Sequence, residues 1–158
     1  MAMKIAQVAV PGDALSQVRD LFLEYAGSLR FSLCFQGFDE ELRDLPGMYA
    51  PPPGRLLLAT EDGEAAGCVG IHALEDGAAE MKRLYVRPAF RGRGLGRTLA
   101  VSACDEARSC GYRTIRLDTI AGPMDSAIAL YRSLGFREIP PYRDNPIPGA
   151  LYLEAALW

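Results

Sequence analysis

The sequence predicts a mixed α/β (α+β) domain with about seven strands and about four helices. The length of 158 residues suits a single domain, residues 1–158. Apolar residues make up 49% of the chain and charged residues 23%, which is typical of a globular protein and excludes extended disorder. Strand-like and helix-like patterns follow the order β-α-α-β-β-β-α-β-α-β-β, which indicates a mixed sheet flanked by helices.

The first half of the chain predicts one strand, two helices and then three consecutive strands. Apolar residues at helical spacing from Leu15 to Tyr25 predict the first helix, and Asp13 is expected to cap it. Asp-Gly pairs at 62–63 and 76–77 predict the turns between the three strands. The predicted ranges are Lys4–Val10, Ala14–Ala26, a short helix begun by Asp39, Arg55–Thr60, Glu64–Ala73 and Ala78–Val86.

The second half predicts two amphipathic helices and three further strands. An apolar stripe from Leu95 to Cys110 predicts a helix that Gly111 closes in a left-handed conformation. The second helix is likewise followed by a glycine, Gly135. The other predicted ranges are Thr114–Thr119, Ser126–Leu134, Arg137–Ile139 and Ala150–Leu157.

The charges are distributed unevenly along the chain. The 17 Lys and Arg against 20 Asp and Glu give a formal net charge of −3, which argues against a general nucleic-acid binder. Six basic residues and no acidic one lie between Lys82 and Arg97. A basic island in an acidic protein predicts a localised anion site. The longest apolar run, Leu56–Ala59, is far shorter than the roughly 20 residues of a membrane helix, so no membrane partner is expected.

Cysteine and histidine content limits the metal and redox options. Cys34, Cys68, Cys104 and Cys110 form no C-x-x-C pair, and His72 is the only histidine, so no metal cofactor is expected. The cysteines are interpreted as buried reduced thiols and His72 as a structural residue of its strand. The N-terminal residues lack the apolar core of a signal peptide, which predicts a cytoplasmic location.

A glycine-rich loop lies within the basic island, between a predicted strand and a predicted helix. The segment Arg91–Arg97 reads Arg-Gly-Arg-Gly-Leu-Gly-Arg. Alternate glycines let backbone N–H groups approach an anion, and the first amides of the helix lack helical partners, so this chemistry suits a pyrophosphate. The dinucleotide and P-loop patterns fail, because Arg97 and Arg91 stand where each requires glycine. An exposed turn without a ligand and an RNA-binding Arg-Gly segment are the alternatives at this point.

Two motifs in this half of the chain resemble those of one known family. Arg91-x-x-Gly94-x-Gly96 matches the pattern [QR]-x-x-G-x-[GA], and Ala127–Phe136 ends in Leu-Tyr-x-x-x-Gly-Phe. Both motifs, in this order and with one strand between them, resemble the GCN5-related N-acetyltransferases (the GNAT superfamily). The resemblance covers about residues 4–157. It implies a GNAT-like, mostly antiparallel twisted sheet with a splayed central strand pair.

The resemblance also implies acetyl-CoA as the acetyl donor and assigns its binding site. The backbone of Leu84, Tyr85 and Val86 is expected to pair with the pantetheine arm, and Leu84 or its neighbour to supply the oxyanion N–H. The pyrophosphate is expected on the loop residues Arg91, Gly92, Arg93, Gly94, Leu95 and Gly96, with help from Arg97.

Two catalytic residues follow from the resemblance. Tyr131 occupies the position of a general acid that protonates the departing sulfur; the alternative is an aromatic core residue. Glu80, on the strand that leads into the loop, is expected to be the general base, directly or through water; the alternative is a solvated charge at a strand edge. Asp118 is a second candidate for the base, or else a hydrogen-bonding residue at the end of its strand.

The resemblance places the acceptor at about Leu29–Tyr49 and Tyr142–Pro148. Besides Gln36, the first segment carries aromatic and acidic residues that either receive a cationic amine or form an amphipathic helix with a solvated face: Phe31, Phe35, Phe38, Asp39, Glu40, Glu41 and Asp44. The expected acceptor is a primary amine of a small molecule. Acetylation of protein N-termini or lysines, and a non-catalytic acyl-CoA-binding regulatory module, are the alternatives. Homodimerisation is left open, with the last strand as a candidate sheet edge.

Overall fold

The computed structural model describes residues 2–29, 31–33 and 36–158. Within these residues there are seven strands and four α-helices. The strands are β1 (Met3–Gln7), β2 (Arg55–Glu61), β3 (Glu64–Ala73), β4 (Ala78–Val86), β5 (Thr114–Ile120), β6 (Arg137–Ile139) and β7 (Ala150–Ala156). The helices are α1 (Asp13–Ser28), α2 (Phe38–Asp44), α3 (Leu95–Ser109) and α4 (Asp125–Ser133).

The strands form one mixed sheet in the order β1-β2-β3-β4-β5-β7-β6. Every neighbouring pair is antiparallel except β4 and β5, which run parallel. The predicted fold class, element order and mostly antiparallel sheet are therefore confirmed. No helix in the described part of the chain is long and apolar enough to cross a membrane.

Both faces of the sheet are buried, because alternate residues of the central strands face different helices. In β2, Leu57 packs into the cluster beneath α3 and α4, whereas Leu56 and Leu58 pack into the cluster beneath α1 and α2. Each fully buried Leu contributes roughly 1.5–3 kcal/mol to folding. The two apolar layers pack against opposite faces of the middle of the sheet, where β4 and β5 meet.

Three details differ from the sequence predictions. Asp13 is the first residue of α1 and makes no capping hydrogen bond; the cap position belongs to Gly12. The last strand, β7, lies between β5 and β6, so it is not the sheet edge proposed for a dimer. Among the cysteines, Cys68 is buried but Cys104 and Cys110 are only half-buried; Cys34 lies outside the described residues.

The central strands β4 and β5 separate along their length. They pair only where Ala78–Glu80 meets Thr114–Arg116. Beyond Glu80, β4 continues to Val86 along β3 and leaves the edge that faces β5 without a strand partner. The resulting gap in the sheet is the splayed strand pair that the family resemblance implied, and it contains the candidate site.

Candidate active site

Two adjoining spaces occupy the gap between β4 and β5. One is an open groove of about 740 Å³, here called the donor groove, which Leu84, Tyr85, Val86 and Arg91 help to line. The other is a smaller cavity of about 100 Å³, here called the inner cavity. The two spaces share four lining residues, Tyr25, Leu84, Met124 and Ala127. A molecule lying in the donor groove therefore reaches the inner cavity beside Leu84.

A β-bulge in β4 shapes the boundary between the two spaces. Arg83 has a positive φ of 61°, and the pairing of β3 with β4 shifts register between Cys68 and Gly70. A bulge of this kind re-aims side chains that strict alternation would place on opposite faces. As a result Lys82 and Arg83, although consecutive, both donate to Gln36 Oε1 at 2.9 Å.

The bulge is held by a buried ion pair. Arg83 donates to both carboxylate oxygens of Glu41 at 3.0 and 2.8 Å, and their side chains are 3% and 4% exposed. The Tyr49 hydroxyl also donates to Glu41, at 2.8 Å. The Tyr49 ring fits here because residue 70 is glycine: a Cβ on Gly70 would lie 2.6 Å from that ring. Arg83 is therefore a structural residue with its charge fully matched.

The glycine-rich loop after β4 presents backbone N–H groups at the start of α3. Gly92 and Gly94 have φ values of 82° and 78°, which disfavour residues with a Cβ. The first helical hydrogen bond of α3 runs from Thr98 N to the Gly94 carbonyl, at 3.1 Å. The three amides before Thr98 therefore have no helical acceptor and can bind an anion, which the positive end of the helix dipole also favours.

The basic island divides into arginines that are paired and arginines that are free to bind a ligand. Arg87 contacts Glu24 at 2.5 Å, and Arg93 contacts Glu61 at 2.8 Å. Within the described ranges, Arg91 and Arg97 form no ion pair; Arg91 donates to the Val86 carbonyl at 2.9 Å and Arg97 to Ser133 at 2.8 Å. The interpretation of all six charges as one anion site was therefore wrong, because acidic residues from distant segments neutralise several of them.

Glu80 is the centre of a buried polar network. Its side chain is 0% exposed and accepts hydrogen bonds from His72 Nε2 at 2.7 Å, the Tyr142 hydroxyl at 2.6 Å and Arg143 at 2.6 Å. Burial alone would raise the pKa of Glu80, but the His72 hydrogen bond and the charges of Lys82 and Arg143 outweigh it and hold the pKa at about 2. Glu80 is therefore an ionised anchor for the segment between β6 and β7.

The inner cavity contains one lysine and one aspartate. Lys82, whose side chain is 5% exposed, donates to Gln36 and lies 3.9 Å from a Glu80 oxygen. Burial lowers the pKa of Lys82 to about 8. Asp118, on β5, accepts a hydrogen bond from Asn145 Nδ2 at 3.0 Å. Both charges line the cavity, whereas Glu80 does not.

Tyr131 projects from α4 to line the inner cavity. Its ring packs against Phe136 at a centroid distance of 5.6 Å. Burial raises the pKa of Tyr131 well above its usual range, so its hydroxyl keeps its proton at neutral pH. The residue is thus both an apolar packing element and a protonated hydroxyl beside the cavity.

The expected acceptor segments contribute only part of the cavity. Phe31, Leu33 and Gln36 line it from the first segment and Asn145 from the second. Glu41 is occupied by Arg83, and Phe35 lies outside the described residues. The other acidic side chains of the first segment, Asp39, Glu40 and Asp44, are exposed.

Sequence reasoning assigned one residue of this site to the wrong ligand and placed two others only within the broad acceptor segments. Lys82 was counted with the phosphate-binding arginines, although its spacing of two from Glu80 already placed both on one face of β4. Gln36 and Asn145 carried no motif, because loops distant in sequence bring them to the cavity.

Known proteins match this chain over most of its length. The acetyltransferase (GNAT) family model matches residues 16–136. An uncharacterized N-acetyltransferase of Schizosaccharomyces pombe is 39% identical over 153 residues, which cover 96% of this chain and 93% of that protein. The IAA acetyltransferase of Azospirillum brasilense is 34% identical over 155 residues, which cover 97% of each chain.

A solved structure agrees with these relatives. A Klebsiella pneumoniae protein described as an acyl-CoA N-acyltransferase superimposes with a TM-score of 0.75 at 30% identity, covering 99% of this chain and 98% of that one. The chain therefore belongs to the GNAT family of acetyltransferases. It is an acyltransferase of the acetyl-CoA-dependent N-acetyltransferase type.

Proposed function

We propose that this enzyme transfers the acetyl group of acetyl-CoA to a primary amine of a small molecule. The observation that carries the proposal is the inner cavity of about 100 Å³, which adjoins the donor groove beside Leu84. Side chains of α1, the segment before α2, β4, β5 and α4 wall this cavity, and such a space suits a small acceptor.

The donor groove has the features that acetyl-CoA requires. We infer that the pantetheine arm pairs with the unpartnered backbone of β4 at Leu84, Tyr85 and Val86, and that the Leu84 N–H stabilises the oxyanion. The pyrophosphate is assigned to the loop residues Arg91, Gly92, Arg93, Gly94, Leu95, Gly96 and Arg97. Within this set Arg91 and Arg97 supply the charge, since Arg93 already has Glu61 as its partner.

Tyr131 is proposed as the general acid. Its hydroxyl is protonated at neutral pH, and burial raises its pKa further; Tyr131 lines the cavity together with the proposed oxyanion donor, Leu84. In the reaction the amine nitrogen forms a bond to the thioester carbon and the carbon–sulfur bond breaks. Tyr131 gives the leaving sulfur a proton and regains one from solvent, a contribution typically worth about 10²–10⁴-fold in rate.

For the general base, Asp118 is favoured over Glu80. Glu80 is 0% exposed and its oxygens already accept three strong hydrogen bonds. With a pKa of about 2, Glu80 is also a weak base at neutral pH. Asp118 lines the cavity, and its hydrogen-bond partner among the described residues is the neutral amide of Asn145. We therefore propose that Glu80 positions Lys82, Tyr142 and Arg143, while Asp118 accepts the proton of the amine.

Release of free thiol from acetyl-CoA tests the proposal, measured over a panel of small amines, amino acids, a lysine-containing peptide and peptides with free N-termini. Turnover of small amines supports it. Turnover of peptides alone would show a protein acetyltransferase, and tight acetyl-CoA binding by calorimetry without any turnover would show a regulatory module. The cytoplasmic location and homodimerisation stay predictions.

A further inference from the structure

The inner cavity contains two opposite charges that lack a short ionic contact. The Lys82 ammonium donates to a neutral amide, Gln36, and its nearest carboxylate oxygen, on Glu80, is 3.9 Å away. Asp118 accepts from a neutral amide, Asn145, and within the described residues it forms no ion pair. Lys82 is buried and Asp118 is half-buried, and each keeps hydrogen-bonding capacity that a ligand group of opposite charge can use.

The neighbouring charges do not saturate these two. Arg83 is saturated by Glu41 at 2.8 and 3.0 Å. The Glu80 oxygen that lies nearest Lys82 already accepts from His72 and from Arg143, at 2.7 and 2.6 Å. The cavity is therefore electrically balanced as a whole, yet it offers one ammonium and one carboxylate to whatever occupies it.

From this juxtaposition we propose that the acceptor is a zwitterionic amino acid, whose carboxylate binds Lys82 and whose ammonium binds Asp118. The inference rests on the proposed N-acetyltransferase function and specifies its substrate class. The remaining wall includes several apolar side chains, among them Phe31, Leu33 and Met124. An apolar side chain on the amino acid suits this wall better than a charged one.

The two charges would also orient the acetyl transfer. Asp118 takes one proton from the substrate ammonium, and the neutral nitrogen attacks the thioester carbon. The carbon–sulfur bond breaks, the sulfur gains a proton from Tyr131, and the nitrogen loses a second proton as the amide forms. Of the three ammonium protons, one stays on the amide, one balances the proton gained by sulfur, and one is released to solvent.

Matched acceptors test the inference through thiol release at pH 7.5. Each amino acid in a series (methionine, leucine and phenylalanine) is compared with its carboxamide and with the amine that lacks the carboxyl group. Because a charge-assisted hydrogen bond is lost in both analogues, kcat/KM for the best amino acid should exceed that of its analogues by about 10- to 100-fold. Equal or faster turnover of the analogues overturns the inference but leaves the N-acetyltransferase function standing. No turnover of any amine overturns both.

Variants of Lys82 test whether the preference for an amino acid over its analogues depends on the contact between Lys82 and the substrate carboxylate. Lys82→Met keeps the length and removes the charge, so the kcat/KM ratio between amino acid and decarboxylated amine should fall to about 1–3. Lys82→Arg keeps the charge and should preserve most of that ratio. If Lys82→Met lowers kcat/KM for both acceptors by the same factor, Lys82 does not bind the carboxylate. The comparison of acceptors on the unsubstituted enzyme remains decisive if a variant fails to fold.

Discussion

The donor groove and the inner cavity meet at Leu84 but are formed by different kinds of groups. The donor side consists of backbone amides at the start of α3 and two exposed arginines, Arg91 and Arg97, that pair with no acid in the described chain. The acceptor side consists of buried side chains, such as Glu80 and Arg83, that hold one another through short hydrogen bonds.

Because of this difference, substitutions on the two sides should affect different properties: acetyl-CoA binding on the donor side and the stability of the fold on the acceptor side. Backbone amides and exposed arginines bind phosphate without taking part in the chemical step, so changes there should alter KM for acetyl-CoA more than kcat. Buried charges that pair with one another stabilise the fold as well as the pocket. Removing one of them should therefore lower the stability of the protein, and any effect on kcat or KM must be judged against that loss. The predictions that follow test this division, beginning with Tyr131, the proposed general acid.

Tyr131→Phe should lower kcat by about 10²–10⁴-fold, because the leaving sulfur loses its proton donor. Stability should change little, since the ring keeps its contact with Phe136. The measurement is steady-state kinetics over a pH series with a thermal melt. Tyr112→Phe is the matched control: its hydroxyl donates to the Pro53 carbonyl, away from the cavity, and its kcat should be unchanged. Near-full turnover of Tyr131→Phe at every pH would exclude the acid role.

Glu80→Ala should destabilise the fold by about 3–5 kcal/mol, because it leaves Arg143 and Lys82 beside an empty buried site. Urea unfolding measures the change. The matched control is Glu138→Ala, whose partner Arg132 lies 4.0 Å away with both side chains more than half exposed, and no measurable loss is expected there. Equal stability of the two variants would contradict the description of the acceptor side as a supporting network.

Acid should weaken the acceptor side through the same carboxylate. Burial opposes the charged form of Glu80, but His72, Lys82, Arg143 and Tyr142 outweigh it and lower its pKa from 4.5 to about 2. Between these values the unfolded chain binds more protons than the folded one, so stability falls as pH falls through this window. Urea midpoints at pH 6 and pH 3 should therefore drop further for the unsubstituted enzyme than for Glu80→Gln. An identical drop would show that Glu80 does not carry this pH dependence.

Gly94→Ala should raise KM for acetyl-CoA about tenfold, since a Cβ at φ 78° costs roughly 1–2 kcal/mol and shifts the amides that bind the pyrophosphate. Gly111→Ala is the control, with φ 89° and open space around its Cβ, at the other end of α3. Both variants should lose similar stability, but only Gly94→Ala should change KM. If both variants raise KM, or if neither does, the conformation of the loop at Gly94 does not determine phosphate binding.

Arg97→Ala should raise KM for acetyl-CoA by about 2- to 5-fold at low salt, the range expected for an exposed charge contact. The effect should shrink as ionic strength rises, because salt screens exposed charges. Arg93→Ala should change KM less, as its guanidinium contacts Glu61 at 2.8 Å. If Arg93→Ala raised KM more than Arg97→Ala, Arg93 and not Arg97 would be the arginine that binds the pyrophosphate.

The donor side could be predicted from the sequence better than the acceptor side. The bounds of β3, β4 and β6 agree with the predicted ranges, because Asp-Gly turns and a helix-closing glycine delimit them locally. The phosphate loop is one contiguous segment between strand and helix, so its motif was readable along the chain.

The acceptor side could not be read in this way. Tyr142 meets Glu80 across 62 positions of sequence, and Gln36 meets Lys82 across 46. The bulge at Arg83 requires a positive φ in a residue that rarely adopts one, which no local pattern signals. Sequence charge counts therefore assigned Lys82 to the phosphates, and only the fold assigns it to the inner cavity.

The most direct test of the account is a crystal structure of the enzyme with CoA and the N-acetylated form of its best amino acid acceptor. We expect the pyrophosphate on the amides before Thr98, the sulfur between Leu84 and Tyr131, and the product carboxylate within hydrogen-bond distance of Lys82. A product whose carboxylate points to solvent, with Lys82 still bound only to Gln36, would contradict the account.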